Sequence, residues 1–472
     1  MNSFADELNT RLAELRRQGL YRELRRVDCP QSPRLQIAGQ PYLNFSSNDY
    51  LGLAAHPALR EAARRAIDRF GVGSGASRLV CGSLAPFHDL EEALADFKKT
   101  EAALSFATGY AAATGTLCAL LGRHDIVILD KLVHACIVDA ARLSGATLRV
   151  FAHNDLTDLE ELLQWADTKR AAARTDQPQI LIVTESIFSM DGDAAPLREI
   201  VELKEKYGAW LMVDEAHGTG LYGVNQRGLA EEQGVCGQIE IQMGTLGKAL
   251  GASGGFICGS QALVDYLVNR ARSFIFSTAP LPAAAAAATA AIQLLQTPEG
   301  RMRREALFQR AGQLTSALAF SRSWGANSGL AETPLSSPRP APTGEGELLA
   351  DAQHKHVSDH RLDKDRPAEG ETLPAPAGGD ASITALAPAI PGAIIPFIIG
   401  DEAAAVAAAQ HLREQGIFIP AIRYPTVARG QARLRITLTA AHTKEEIHQL
   451  AMALAGLGDG GAGVATKAIP QQ

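Results

Sequence analysis

Short apolar runs alternate with stretches of helical periodicity through the middle of this chain, and that alternation limits its fold more than any other feature. The runs are Ile126-Val127-Ile128-Leu129, Ile180-Leu181-Ile182-Val183, Trp210-Leu211-Met212-Val213 and Gly255-Phe256-Ile257-Cys258. Between them, 158–171 and 197–207 repeat their apolar residues at helical spacing. Strand, helix, strand in this order predicts an α/β fold with a mostly parallel sheet covered on both faces. Ligands bind such sheets beyond the carboxyl ends of the strands. The polar residues at those ends are Asp130, Thr184-Glu185-Ser186 and Asp214-Glu215, which are therefore expected to line a site.

Around this core the chain divides by composition. Residues 1–45 read as an arm opening on an amphipathic helix through Leu12, Leu15 and Leu20, and 46–295 as a large domain. The alanine-rich run 283–291 is a strong helix former. A helix around 301–319 leads into a smaller α+β domain made of 296–324 and 392–458. Between its halves, 325–391 is rich in Pro, Gly and charge and is expected to be a disordered insertion. His354, His356 and His360 lie there and read as part of a solvated tract, not as a metal site. A strand at 394–399, a helix to Gln415 and an alternating strand at 434–438 follow, then a frayed tail, 459–472.

The bulk numbers exclude several classes of function. With 472 residues, 46% of them hydrophobic, the chain can bury a large core. A net charge of −7 leaves no general basic surface for nucleic acid. No apolar run is long enough to span a membrane, and the N-terminus lacks the basic and apolar regions of a secretory signal. The six cysteines form no C-x-x-C pair, which excludes zinc spacing and fits a reducing cytoplasm.

Three strings carry chemistry. In Gly244-Thr245-Leu246-Gly247-Lys248-Ala249-Leu250-Gly251 a lysine sits among glycines after a strand at 239–243. A phosphate-binding P-loop would need Gly at 242 and Ser or Thr at 249, where the chain has Gln242 and Ala249. A Schiff-base lysine, with small neighbours that admit a planar cofactor, and a plain surface lysine both remain open. In Val213-Asp214-Glu215-Ala216-His217, Asp214 stands where a carboxylate could keep the ring nitrogen of pyridoxal phosphate (PLP) protonated, with His217 near the phenolic oxygen. A strand-end helix cap with a loop histidine explains the same string equally well. Gly109-Tyr110, between a strand-like run and the helical stretch 111–121, offers free backbone amides to a phosphate. His134 and Ser189 are candidates for the cofactor face. The glycines of 71–75 follow a helix, not a strand, and do not make a dinucleotide site.

Read as a set, these strings resemble the α-oxoamine synthase family of fold-type-I PLP enzymes over about 1–324 and 392–458. The resemblance is carried by Asn44-Phe45-Ser46-Ser47-Asn48-Asp49-Tyr50-Leu51-Gly52-Leu53, Phe151-Ala152-His153-Asn154-Asp155, the stretch 188–193, Asp214 to Gly220, Thr245 to Lys248, and Arg433-Leu434-Arg435-Ile436-Thr437-Leu438-Thr439-Ala440-Ala441-His442. It implies a mostly parallel seven-stranded sheet between helices, with a smaller α+β C-terminal domain. It implies Lys248 as the cofactor lysine and proton-transfer base, Asp214 at the ring nitrogen, His134 over the ring, and His217 and Ser189 at the phenolic oxygen. Thr245, Gly109 and Tyr110 would hold the phosphate, and Ser277 and Thr278 would reach the phosphate of a partner subunit in a homodimer. Arg435 would bind the amino-acid carboxylate, with Arg22 and Thr426 also on substrate; Arg25 and Arg26 compete with Arg22 for that role. The implied reaction is decarboxylative condensation of an amino acid with an acyl thioester. The strings at 46–53, 151–155 and 437–442 look most like the branch that joins L-alanine to pimeloyl-CoA or a pimeloyl-carrier protein in biotin synthesis. Glycine-using branches share the cofactor apparatus, and an inactive homologue kept as an interaction protein is the alternative from another class.

Overall fold

In a computed structural model, residues 3–173, 177–327 and 392–459 are described. Most of the expected insertion, with its three histidines, and nearly all of the expected tail lie outside the described residues. The expected helix at 301–319 is longer at both ends, Pro298–Asn327, and so takes in the first residues assigned to the insertion.

Among the described residues, thirteen strands form three sheets. A small one joins β1 (Arg34–Ile37) and β2 (Gln40–Asn44) to the later β11 (Ile417–Phe418). The large sheet holds β3 (Ala102–Phe106), β4 (Ile126–Asp130), β5 (Thr147–Phe151), β6 (Ile180–Glu185), β7 (Trp210–Asp214), β8 (Ile241–Thr245) and β9 (Gly255–Gly259). Its order is β3-β9-β8-β7-β6-β4-β5. The third sheet places β13 (Ala432–Thr437) between β10 (Ile394–Gly400) and β12 (Ala421–Ile422).

The large sheet is parallel from β8 to β5, but β9 runs antiparallel to both its neighbours. That corrects the expectation of a parallel strand at 255–258. The cause is length: the link from β8 to β9 is too short for the crossover that a parallel return requires. The strand expected at 239–243 begins instead at Ile241, because Cys236–Gln238 closes a 3-10 turn ahead of it.

Alternation along each strand decides which side of the sheet a residue serves. Ile126 and Ile128 of β4 join one apolar cluster, and Val127 and Leu129 the other. On β6, Ile180 and Ile182 part from Leu181 and Val183 in the same way. Each such side chain, fully withdrawn from water, contributes about 1.5–3 kcal/mol. The helix Leu197–Tyr207 shows how the cover is built. Leu197, Ile200, Val201 and Lys204 recur on its buried face, and Gly208 ends it in the left-handed region at φ 57.

The N-terminal helix, Phe4–Arg17, has no buried residue, and Leu20 lies past its end. Its capping box and end charges support the helix locally, so the periodicity there marks a helix but not a face packed on this chain.

Candidate active site

The carboxyl ends of β4, β6, β7 and β8 converge, and four of the expected residues meet there. Asp214 is the last residue of β7 and is 5% exposed. Its carboxylate accepts the Ala216 amide at 2.9 Å. Burial pushes this carboxyl up, while the Lys248 cation opposes the rise. Lys248 stands three residues past β8, its Nζ 2.7 Å from Nε2 of His217. Burial also lowers the Lys248 ammonium's pKa, against the pull of Asp214 and Glu185. His217 is 5% exposed, and burial with the neighbouring Lys248 cation holds it well below the usual imidazole range, so its ring is neutral. His134 opens the helix Ala135–Ser144, where its Nδ1 accepts the Cys136 amide at 3.2 Å and fixes the ring. Lys248 and Asp214 both act on its charge.

The phosphate candidates meet one strand further along. Thr108 caps the helix Gly109–Leu120, accepting the Ala111 amide at 3.0 Å, and leaves the first helical amides free of intrahelical partners. A Cβ at Gly109 would lie 2.6 Å from Cγ2 of Thr245, so only glycine permits this approach. Thr245 Oγ1 is buried without a hydrogen-bond partner. Tyr110 stands at the same helix start, half exposed, and its hydroxyl donates to Asp139 at 2.9 Å.

Arg435 reaches the same region from the third sheet. Its Nε donates to the Ser189 carbonyl at 2.5 Å, and Nη1 donates to Asn48 Oδ1 and Thr437 Oγ1, both at 3.0 Å. Arg433, two residues earlier on β13, holds the same loop through the Met190 carbonyl and Asp191. Ser189 is thereby fixed through its backbone, and its amide also donates to Glu185 at 3.2 Å.

The remaining candidates lie apart from this cluster. Arg22 and Thr426, distant in sequence, meet each other with Nη2 3.5 Å from Oγ1. Arg26 instead pairs with Asp28. Ser277 Oγ donates to the Thr278 carbonyl at 3.2 Å, and Thr278 bridges to Ser77.

Two strand-end residues behave differently from expectation. Glu215 does not line the site: its carboxylate turns away to accept the Leu229 and Ala230 amides at 3.1 and 2.8 Å. Asp130 is consumed by Nδ1 of His153 at 3.0 Å and by the amides of Leu132 and Asn154. Sequence reasoning gave no specific role to three residues that the fold brings in, although it placed Glu185 at a strand end lining the site. Tyr50 and Asn48 sat in a quoted string without a role, and Tyr50 now lies 2.5 Å from His217 Nδ1. Glu185 is side by side with Asp214 in the sheet register. Burial, reinforced by Asp214, raises its carboxyl to about 8, and its Oε1 has no partner.

The unpartnered Thr245 hydroxyl beside the free helix amides fits an anion, the buried Asp214 carboxylate fits a protonated ring nitrogen, and the desolvated Lys248 amine fits a carbonyl carbon. A flat phosphorylated aldehyde carrying a ring nitrogen meets all three. Comparison with known proteins agrees. The model of the aminotransferase class I and II family matches 40–330 and 381–454. An 8-amino-7-oxononanoate synthase of Geobacter sulfurreducens is 41% identical over 447 residues, covering 95% of this chain and 96% of the relative. That of Methylococcus capsulatus is 41% identical over 446 residues, covering 94% and 96%. Among solved structures, a serine palmitoyltransferase from S. paucimobilis with a bound PLP–myriocin aldimine matches with a TM-score of 0.76 at 26% identity, covering 96% of this chain and 97% of that one. An 8-amino-7-oxononanoate synthase from Francisella tularensis, at 22% identity and a TM-score of 0.63, covers 89% of this chain and 98% of its own and shares the fold.

Proposed function

Since this chain belongs to the aminotransferase class I and II family, and within it to the 8-amino-7-oxononanoate synthases, we propose that the Lys248 cluster is the PLP site of a decarboxylating acyltransferase. The reaction joins L-alanine to a pimeloyl thioester and gives 8-amino-7-oxononanoate, carbon dioxide and the free thiol, a step of biotin synthesis. The observation that carries the site reading is the meeting of Lys248, His217 and Asp214 at the strand ends, with Arg435 facing them.

PLP, when bound, supplies the electron sink that lets bonds at the amino acid's Cα break with their electrons left behind. Lys248 would hold the cofactor and would be the base for the Cα proton; burial lowers its pKa and so favours the neutral amine that this role needs. The Cα–acyl bond forms as the C–S bond breaks and the thiolate leaves and takes up a proton. The carboxylate carbon then departs as carbon dioxide, and a proton returns to Cα. Asp214 is assigned to the ring nitrogen, which its buried negative charge keeps protonated. His134 would cover the ring, His217 and Ser189 would face the phenolic oxygen, and Thr245 with the Gly109 and Tyr110 amides would hold the phosphate. Arg435 is assigned to the substrate carboxylate, its guanidinium held in place by the Ser189 carbonyl, Asn48 and Thr437. Arg22 and Thr426, joined to each other, are assigned to substrate.

The active form is read as a homodimer in which Ser277 and Thr278 complete the partner's phosphate site. The support is an apolar face around that loop: Val72 is 70% exposed, Val80 77% and Phe276 71%. No helix among the described residues is long and apolar enough to cross a membrane. The described cysteines are all unpaired, which supports a cytoplasmic location.

The test is product mass after mixing PLP-loaded protein with pimeloyl-CoA and either L-alanine or glycine. An 8-amino-7-oxononanoate mass with alanine, and little product with glycine, is expected. A glycine preference moves the enzyme to another branch of the family; a protein that binds no PLP is the inactive homologue.

A further inference from the structure

Tyr50 is 0% exposed, and its hydroxyl meets Nδ1 of His217 at 2.5 Å and Oδ1 of Asn48 at 3.3 Å, with the Arg435 guanidinium also hydrogen-bonding to it. Its backbone is fixed as well, for its carbonyl accepts the Ala440 amide at 2.7 Å. On the far side of the imidazole, Nε2 is 2.7 Å from Lys248 Nζ, and Asn48 Oδ1 also receives Arg435 Nη1 at 3.0 Å. An unbroken chain of polar contacts therefore runs from Lys248 through His217, Tyr50 and Asn48 to Arg435.

A neutral imidazole has one N–H and one bare nitrogen, and the partner of each settles which is which. When the Lys248 ammonium donates to Nε2, the proton must lie on Nδ1, which donates to the Tyr50 oxygen while the hydroxyl turns to Asn48. When Nε2 must donate, the hydroxyl turns to Nδ1 instead. The imidazole and hydroxyl carry the same two protons in both arrangements. We infer that the Tyr50 hydroxyl is a positioning group that serves both tautomers of His217, accepting from Nδ1 in one and donating to it in the other, so that Nε2 accepts from free Lys248 and donates to the cofactor's phenolic oxygen once the lysine is engaged. The cofactor-facing half rests on the placement of His217 given above. Lys248, Arg435 and His134 act on the charge of His217, and Arg435 and Glu185 on that of Tyr50. Burial keeps the Tyr50 hydroxyl protonated.

Tyr50→Phe removes the hydroxyl alone. Two readouts are expected to change. In cofactor-free, nitrogen-15-labelled protein the Nδ1 resonance of His217 shifts, because its N–H has lost the phenolic oxygen to which it donates. In the PLP-loaded protein, the pH at which the visible absorbance of the bound cofactor changes rises by about one unit, because its phenolate loses a committed donor. Replacing Tyr50 with 3-fluorotyrosine, a stronger donor, moves that pH down, and this arm holds even where the Phe variant folds poorly. Unchanged ring nitrogens and an unchanged absorbance midpoint in both variants overturn the proposal. A midpoint that stays put while the ring nitrogens respond overturns the placement of His217 at the phenolic oxygen and leaves the Tyr50–His217 bond standing.

Discussion

The two walls of the active site are built on opposite plans. The strand-end wall, Asp214, Glu185, His217 and Lys248, packs ionisable groups with few bonds: Glu185 Oε1 and Thr245 Oγ1 have no partner, and burial moves Asp214, Glu185 and Lys248 toward their neutral forms. The wall from the third sheet, Arg433 and Arg435, is nearly saturated by the Ser189 and Met190 carbonyls, Asn48, Asp191 and Thr437. Unmet bonding on one side suits a wall that must take up a charged cofactor. Saturation on the other suits a wall that must aim a guanidinium and not move. The loop 188–193 is the seam between them: Ser189 and Asp191 meet the arginines while Asp193 meets His153.

The largest effects belong to the strand-end wall. Lys248→Ala is expected to lower kcat by about 10³–10⁴-fold and to abolish reductive trapping of PLP on the protein, read by mass. Trapping at another lysine would remove the basis for this wall. Asp214→Asn keeps the shape but not the charge. Because its counter-charge is worth about 1–3 units of ring-nitrogen pKa, turnover is expected to fall about 10–10³-fold, with weaker PLP uptake seen by equilibrium titration. An Asn variant with normal turnover would show that the nitrogen is not held there.

The contrast between the walls also explains what was legible in the sequence. Asp214 and Lys248 follow their own strands, so the apolar runs at 210–213 and 239–243 pointed to them with only a two-residue slip in the second. The antiparallel β9 escaped because a buried strand reads the same in either direction; the shortness of the 246–254 link was the available signal. Glu215 stands just past the end of β7, and its carboxylate is taken up by the Leu229 and Ala230 amides, partners that no local pattern announces. The arginine wall was legible only by resemblance. Asn48, Ser189 and Arg435 lie far apart along the chain, and no periodicity connects them. Tyr50 was quoted yet given no role, because nothing local says that a buried phenol will meet a histidine from another strand's end.

Breaking the saturated wall should look different. Arg435→Lys keeps a positive charge, but one ammonium cannot serve Ser189, Asn48, Thr437 and a substrate carboxylate at once. KM for L-alanine is expected to rise about 10–100-fold, with kcat altered less and the absorbance of bound PLP unchanged. If kcat fell instead with KM preserved, Arg435 would act on the chemistry and the division between the walls would fail.

The smallest effect tests the seam. His153 lies between Asp130, 3.0 Å from Nδ1, and Asp193, 2.7 Å from Nε2, with the edge of Phe188 against its ring. Burial alone would lower its pKa, but the bonds to Asp130 and Asp193 outweigh it and raise the value to about 10. A raised histidine pKa means that the folded state holds its proton more tightly than the unfolded chain. The stabilisation is therefore complete below about pH 6.5, the ordinary imidazole range, and is lost as pH rises through about 10. His153→Gln keeps an amide donor without the charge. At pH 6 the variant is expected to be less stable by about 2 kcal/mol in denaturant titration, a figure held low because the pair of carboxylates relaxes toward solvent on the Asp193 side. The gap should close toward pH 10.5. Turnover should change only a few-fold, through Ser189 at the other end of the loop. A gap that is the same at both pH values would mean that His153 holds the loop by shape and not by charge. The seam would then belong with the saturated wall and owe nothing to the electrostatics of the strand ends.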